Sequence, residues 1–227
     1  MQNKSALIVV DVQNGFCPGG NLAVAHADEI IPKINQLAQY FDNIVITQDW
    51  HPDHHISFAM NHVGKQPFET IELDYGTQVL WPKHCVQGTF DAELHAALDL
   101  PTTQLIIRKG YHAHLDSYSA FMEADHKTTT GLAGYLKERG IDSVFIVGIA
   151  TDFCVAWTAI DARKFGFNTF VISDATKAID LDGSLQHAWQ EMLAKGVKRI
   201  LVKDIIQLQD SLAGYKDVKE SHFLLCC

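Results

Sequence analysis

Short apolar runs recur along this chain, and the stretches between them carry apolar residues at helical spacing. The runs at 6–10, 43–47, 104–108, 143–147, 169–172 and 199–202 are rich in Val, Ile and Leu and predict strands. In most of them the apolar residues are continuous rather than alternating, as in parallel strands covered on both faces. Helices are predicted over 28–40, 92–98, 130–139, 152–165 and 184–195. Two of these end with a basic last turn followed by Gly140 or Gly196, a stop signal. Regular β-α alternation predicts an α/β fold: a three-layer, doubly wound, mostly parallel sheet of about six strands with helices on both faces. The stretch at about 50–90 breaks the rhythm, being rich in His, Pro and Gly without a clean period. Irregular segments of such length are functional or disordered, and its aromatic and histidine content favours function.

A length of 227 residues suits one domain over 1–227, with 50–90 as an irregular insertion. With 27 acidic against 18 basic residues and a net charge of −9, the chain lacks the basic surface that nucleic acid requires. No stretch approaches the roughly 20 apolar residues of a membrane span. The first apolar run ends at Asp11, too short for a signal-peptide core. Cys17, Cys85, Cys154, Cys226 and Cys227 show no disulfide-framework spacing, so reduced thiols in a cytoplasm are expected. The Cys226-Cys227 ending lacks the C-a-a-X prenylation form and reads as a tail.

Ligands of open α/β sheets bind at the carboxyl ends of the strands. Those ends carry Asp11, then Asp49-Trp50-His51, then Lys109-Gly110, then 148–154 with Cys154 at a helix start. Thr151 or Asp152 is placed to cap that helix, and its free N–H groups, its dipole and a nearby Lys favour a thiolate. The same N–H groups, with that of Ala150, suit an oxyanion. A small buried helix cysteine is the plain alternative, equally weighted on position alone. Asp11 and Lys109 read either as an ion pair closing the sheet or as a base and cation serving Cys154, and the shared edge favours the second. Asp49 and His51, at i and i+2 of an extended segment, face one way and suit a metal with a third ligand among His54, His55, His62 and His84. Carboxylate with imidazole suits Zn, Fe or Mn.

Several segments resemble the nicotinamidases, within the isochorismatase-like hydrolases. They are Val-Asp-Val-Gln-Asn-Gly-Phe at 10–16, Thr-Gln-Asp-Trp-His-Pro at 47–52, His-Ile-Ser-Phe at 55–58 and Leu-Trp-Pro-Lys-His-Cys-Val at 80–86. Lys109-Gly110, Asp-Ser-Tyr-Ser-Ala-Phe at 116–121 and Gly-Ile-Ala-Thr-Asp-Phe-Cys-Val at 148–155 follow, with Thr158-Ala159 beyond. The match runs in order over most of the chain. The resemblance implies a catalytic triad of Asp11, Lys109 and Cys154, and an oxyanion hole from the N–H groups of Ala150 and Cys154 after a cis Ile149-Ala150 bond. It implies one divalent metal ion, zinc ahead of iron or manganese, on Asp49, His51 and His84, with His55 a candidate fourth ligand. Phe16, Trp81 and Tyr118 become pocket walls, and the 50–90 insertion the metal- and substrate-binding part of an isochorismatase-like hydrolase domain. The activity implied is hydrolysis of nicotinamide to nicotinate and ammonia in NAD salvage, by a cytoplasmic enzyme whose partner is that small molecule; a homo-oligomer fits equally well.

Two positions depart from many relatives: Gly15, where they carry Asp, and Phe153, where they carry His. Both concern the pocket, not the triad. The alternatives are another small-amide hydrolase of the superfamily and a non-catalytic metal-binding protein on the same fold. Isochorismatase itself needs neither the cysteine nor the metal set. A dinucleotide-binding oxidoreductase is excluded, because the first strand lacks a following G-x-G-x-x-G.

Overall fold

A computed structural model describes residues 4–207, so the Cys226-Cys227 ending lies outside the described residues. Its centre is a six-stranded sheet of β1 (Ser5–Val10), β2 (Ile44–Asp49), β5 (Leu105–Lys109), β6 (Ser143–Ile149), β7 (Asn168–Lys177) and β8 (Lys198–Ile200). The order is β5-β2-β1-β6-β7-β8, and all neighbours are parallel. Leading to one edge before β6 starts the other half, the chain makes its topological switch between β1 and β6, where such sheets bind ligands.

Every residue of β1 is buried, because helices cover both faces. Leu7 and Val9 point into one core with Ile31, Ile34 and Leu37 of α1 (Ile31–Ala38) and with Val202 and Ile205 after β8. Ala6, Ile8 and Val10 point into the other, against α2 (Leu132–Glu138), α3 (Ala156–Lys164) and α4 (Ser184–Ala194). The two-residue period of the strand thus meets the helical period on each side. Each fully buried Leu or Ile contributes about 1.5–3 kcal/mol, so the continuous apolar runs cement the sheet. Gly148 has φ +114, and a Cβ there would lie 2.0 Å from the Val10 carbonyl oxygen. Only glycine lets β6 approach β1 so closely beside Asp11.

The sheet and its flanking helices match the sequence expectation, with local differences. No helix spans 92–98: a single 3₁₀ turn at Phe90–Ala92 ends, and the backbone then pairs with the loop after β1. Asn14 N–H donates to Glu93 O (3.0 Å), His95 N–H donates to Val12 O (2.9 Å), and Gln13 bridges to Leu94. Those tertiary bonds take the groups a helix would use. The helix expected from 28 begins as a 3₁₀ turn, Ala27–Ile30, and the one expected from 152 begins as a π-helical turn, Thr151–Val155. Within 50–90 lies a hairpin of β3 (Thr70–Leu73) and β4 (Gly76–Val79), apart from the main sheet. Its weakly alternating, largely exposed strands left little period to detect. No helix among the described residues is long and apolar enough to cross a membrane.

Candidate active site

Asp11 ends β1 in a left-handed backbone conformation, φ +49, which Asp tolerates better than most residues. Thr47 of the adjacent β2 donates its hydroxyl to Asp11 Oδ1 at 2.6 Å and accepts the Asp11 N–H at 3.1 Å. Lys109, at the end of β5, is wholly buried. Its ammonium lies 2.8 Å from Asp11 Oδ2, pairs with Asp49 Oδ1, donates to Ser117 O at 3.1 Å and reaches Cys154 Sγ at 3.4 Å. The contact to Asp11 Oδ2 is an ion pair rather than an aligned hydrogen bond, leaving that oxygen without a hydrogen-bond donor. A carboxylate oxygen of Asp11 lies within 4.8 Å of Cys154 Sγ. The three residues expected to act together are therefore one cluster.

Burial alone would lower the Lys109 ammonium, but Asp11 and Asp49 outweigh it and hold the group well above its ordinary range. Burial raises the Asp11 carboxyl against the pull of Lys109. Burial also lifts the Cys154 thiol well above its ordinary range; Lys109 pulls it down, and Asp11 and Asp49 push it further up. The thiol therefore has beside it a carboxylate that burial makes more basic, placed to take its proton.

The helix start differs from the expected cap. Ala150, not Thr151 or Asp152, takes the cap position, without a side-chain hydrogen bond. Ile149-Ala150 is cis, as the resemblance implied, and the Ala150 carbonyl accepts N–H groups from Phe153 (3.1 Å) and Val155 (3.0 Å). Asp152 instead accepts from the N–H groups of Ile179 (3.1 Å) and Asp180 (2.7 Å) and from the Ser184 hydroxyl (2.5 Å). It thereby draws Ile179 over the pocket above Cys154.

Beside the cluster, Asp49 Oδ2 lies 3.5 Å from His51 Nε2 and 3.8 Å from His84 Nε2. His51 Nδ1–H donates to Gly110 O and His84 Nδ1–H to Pro82 O, both at 2.8 Å. A Cβ on Gly110 would sit 2.4 Å from the His51 ring, so this approach requires glycine. Carbonyls fix both tautomers, leaving both Nε2 lone pairs aimed beside a carboxylate, which is how proteins orient imidazoles toward a metal. Burial alone would raise Asp49, but the Lys109 ammonium opposes it, and the carboxyl is held well below its usual range, ready as an anionic ligand. The donor set fits one divalent transition metal.

His55 stands apart from that set. It groups with His51 and Asp116, its Nε2–H donates to Leu115 O at 3.2 Å, and its Nδ1 accepts the Ser57 hydroxyl at 2.7 Å. Both ring nitrogens are committed, so this geometry offers no lone pair for a fourth ligand. Burial, then His51, lowers its pKa from 6.5 to about 4. A base depressed on folding stabilises above its unfolded value and loses that contribution as pH falls, here between 6.5 and about 4. In the metal-free protein, urea titrations should show a decline over that window on the order of 3 kcal/mol, flattened in His55→Gln. Parallel profiles for the two proteins would contradict this.

Phe16, Trp81 and Tyr118 line the pocket over Cys154, as expected. Phe153 completes the aromatic wall, 4.9 Å from Trp81 and 5.8 Å from Tyr118 between ring centroids. At Gly15, a Cβ would fall 2.7 Å from Asp91 Oδ2, which accepts the Cys85 N–H. The Asp91 carboxylate already fills the space that a side chain at 15 would use. Asp116, Ser117 and Ile179 also line the pocket. Asp116 and Ser117 lie inside a recognised segment, but Ile179 carries no local signal.

A buried thiol flanked by a carboxylate and an ammonium, at the switch point of a parallel sheet, is the equipment of a thiol-dependent α/β hydrolase. The isochorismatase domain family matches residues 5–204, and the chain belongs to that family. It is 77% identical over 204 residues to the nicotinamidase of Acinetobacter baylyi, covering 90% of this chain and 95% of that protein. The solved Acinetobacter baumanii nicotinamidase/pyrazinamidase superposes with a TM-score of 0.90 at 74% identity, covering 90% of this chain and 99% of that one. The Pyrococcus horikoshii pyrazinamidase, solved in complex with zinc, gives 0.71 at 38% identity, covering 87% and 99%.

Proposed function

We propose that this chain is a nicotinamidase, hydrolysing nicotinamide to nicotinate and ammonia through a Cys154 thioester and so feeding NAD salvage. The observation that carries this reading is the meeting of Cys154, Asp11 and Lys109 under an aromatic pocket whose side wall is the Asp49–His51–His84 donor set.

Phe16, Trp81, Tyr118 and Phe153 enclose the ring, burying its faces and fixing the carboxamide over Sγ. As Sγ bonds to the amide carbon, the thiol proton passes to Asp11 and the carbonyl electrons move to oxygen. The N–H groups of Ala150 and Cys154 hold that oxyanion. Collapse breaks the C–N bond while Asp11 returns the proton to nitrogen, and ammonia leaves. Asp11 then takes a proton from the water that attacks the thioester; the C–S bond breaks, and sulfur regains the proton. Lys109 keeps its charge throughout, holding Asp11 in place and stabilising sulfur as it becomes anionic. Asp49, His51 and His84 would hold a divalent ion, zinc ahead of iron or manganese, which would supply a Lewis-acid anchor for the pyridine nitrogen.

Ammonia release across nicotinamide, pyrazinamide and benzamide, with and without chelator, tests this. Nicotinamide should be turned over, benzamide poorly for want of the ring nitrogen, and chelation should lower kcat/KM about 10²-fold or more. Turnover of an aliphatic amide but not nicotinamide would overturn the substrate. Indifference to metal removal would overturn the metal's part while leaving the cysteine chemistry.

A further inference from the structure

The hairpin β3–β4 buries one residue of its second strand, Gln78, while that strand's other residues are exposed or half-buried. The Gln78 side chain leaves the hairpin and enters the wall of the pocket. Its Nε2 lies 2.7 Å from Asp116 Oδ2, 2.7 Å from Val79 O and 3.1 Å from the Tyr118 hydroxyl, sharing two hydrogens among three oxygens. Its Oε1 accepts the Tyr75 hydroxyl at 3.0 Å. The Tyr118 hydroxyl also accepts the Trp81 indole N–H at 3.0 Å. Two walls of the pocket, Trp81 and Tyr118, are thus tied to one another at the same oxygen that Gln78 reaches.

We infer that Gln78 is a positioning residue for the aromatic substrate, holding Tyr118, and through its hydroxyl Trp81, at the separation that admits a planar ring. This rests on the proposed nicotinamidase reading. The hairpin then has a purpose: it carries an amide, locked by the Asp116 carboxylate and the Tyr75 hydroxyl, to the back of the ring site. An amide suits this place because it donates to the carboxylate and the phenol oxygen while accepting from a second phenol. A methionine of similar volume keeps the packing and loses all of these bonds.

Gln78→Met should raise KM for nicotinamide about tenfold with kcat changed less than threefold, because the ring wall is loosened while Cys154, Asp11 and Lys109 are untouched. In a Tyr118→Phe background, the same substitution should change KM less than twofold, since the oxygen it acts through is gone. The indole N–H resonance of Trp81, assigned with Trp81→Phe, should shift in Gln78→Met. Should Gln78→Met fold poorly, Gln78→Glu serves in its place, since it sets a carboxylate against Asp116 and should shift the same resonance. An unshifted Trp81 signal in a folded variant, an unchanged KM, or a full tenfold effect in the Tyr118→Phe background overturns the inference. If the wild type does not hydrolyse nicotinamide, the functional reading fails, and the Trp81 resonance still decides whether Gln78 sets the wall.

Discussion

Cys154→Ala is expected to lower kcat for nicotinamide at least about 10⁴-fold, because no other group at the site can form the covalent intermediate. The structure separates this loss from unfolding. Sγ faces a pocket, so its removal opens no closed cavity, and alanine suits the helical turn that carries it. The variant should therefore unfold in urea within about 1 kcal/mol of the wild type. Cys154→Ser should be nearly as inactive. A hydroxyl is a far weaker acid than a thiol, and Asp11, although raised by burial, is matched to the thiol proton. The other buried cysteines offer no substitute. Neither Cys17 nor Cys85 lines the pocket over Cys154. Retention of even one-hundredth of the wild-type rate, measured as ammonia released under saturating nicotinamide, would remove Cys154 from the mechanism.

The parts of this site legible in the sequence are those with a strand or helix boundary beneath them. Asp11, Asp49, Lys109 and Cys154 stand at or just past strand ends, and a parallel sheet must bring such ends to one edge. Position supplied the cluster, and the resemblance selected His84 from several histidines of a segment without periodicity. What escaped was set by tertiary pairing. The backbone at 93–95 joins the loop after β1, overriding a helical pattern too short to hold itself together. Asp152 looked like a cap because Asp before an apolar run commonly is one, yet its carboxylate serves the distant chain at 179–184. The rise of the Cys154 thiol was not legible either, because burial, its largest cause, follows only from the assembled pocket. Gln78 gave no signal, since an isolated glutamine in a polar hairpin is ordinarily solvent-facing.

Lys109→Met should have the second large effect, and on stability as well as rate. Wild-type Lys109 is fully buried between Asp11 and Asp49, so removing its charge without changing its volume leaves two carboxylates desolvated and facing each other. Breaking a buried pair in this way costs about 3–5 kcal/mol. The pH dependence gives the sharper test, made on metal-free protein. In the wild type, Asp49 is held well below its usual range, so its contribution is present above the unfolded carboxylate value and is lost as pH falls through the folded one. Without the ammonium, burial and mutual repulsion raise both carboxyls above their unfolded values. The folded state then binds more protons than the unfolded one, and stability must fall as pH rises above about 4. Urea midpoints at pH 5 and pH 8 should therefore decline toward alkaline pH more steeply in Lys109→Met than in the wild type. Lys109→Arg should not rescue activity, because a planar fork cannot reproduce a point charge that also meets Ser117 O and Cys154 Sγ. Equal pH slopes in the variant and the wild type would mean that Lys109 does not hold the two carboxylates ionised, and with that the proton transfer between Cys154 and Asp11 would lose its electrostatic basis.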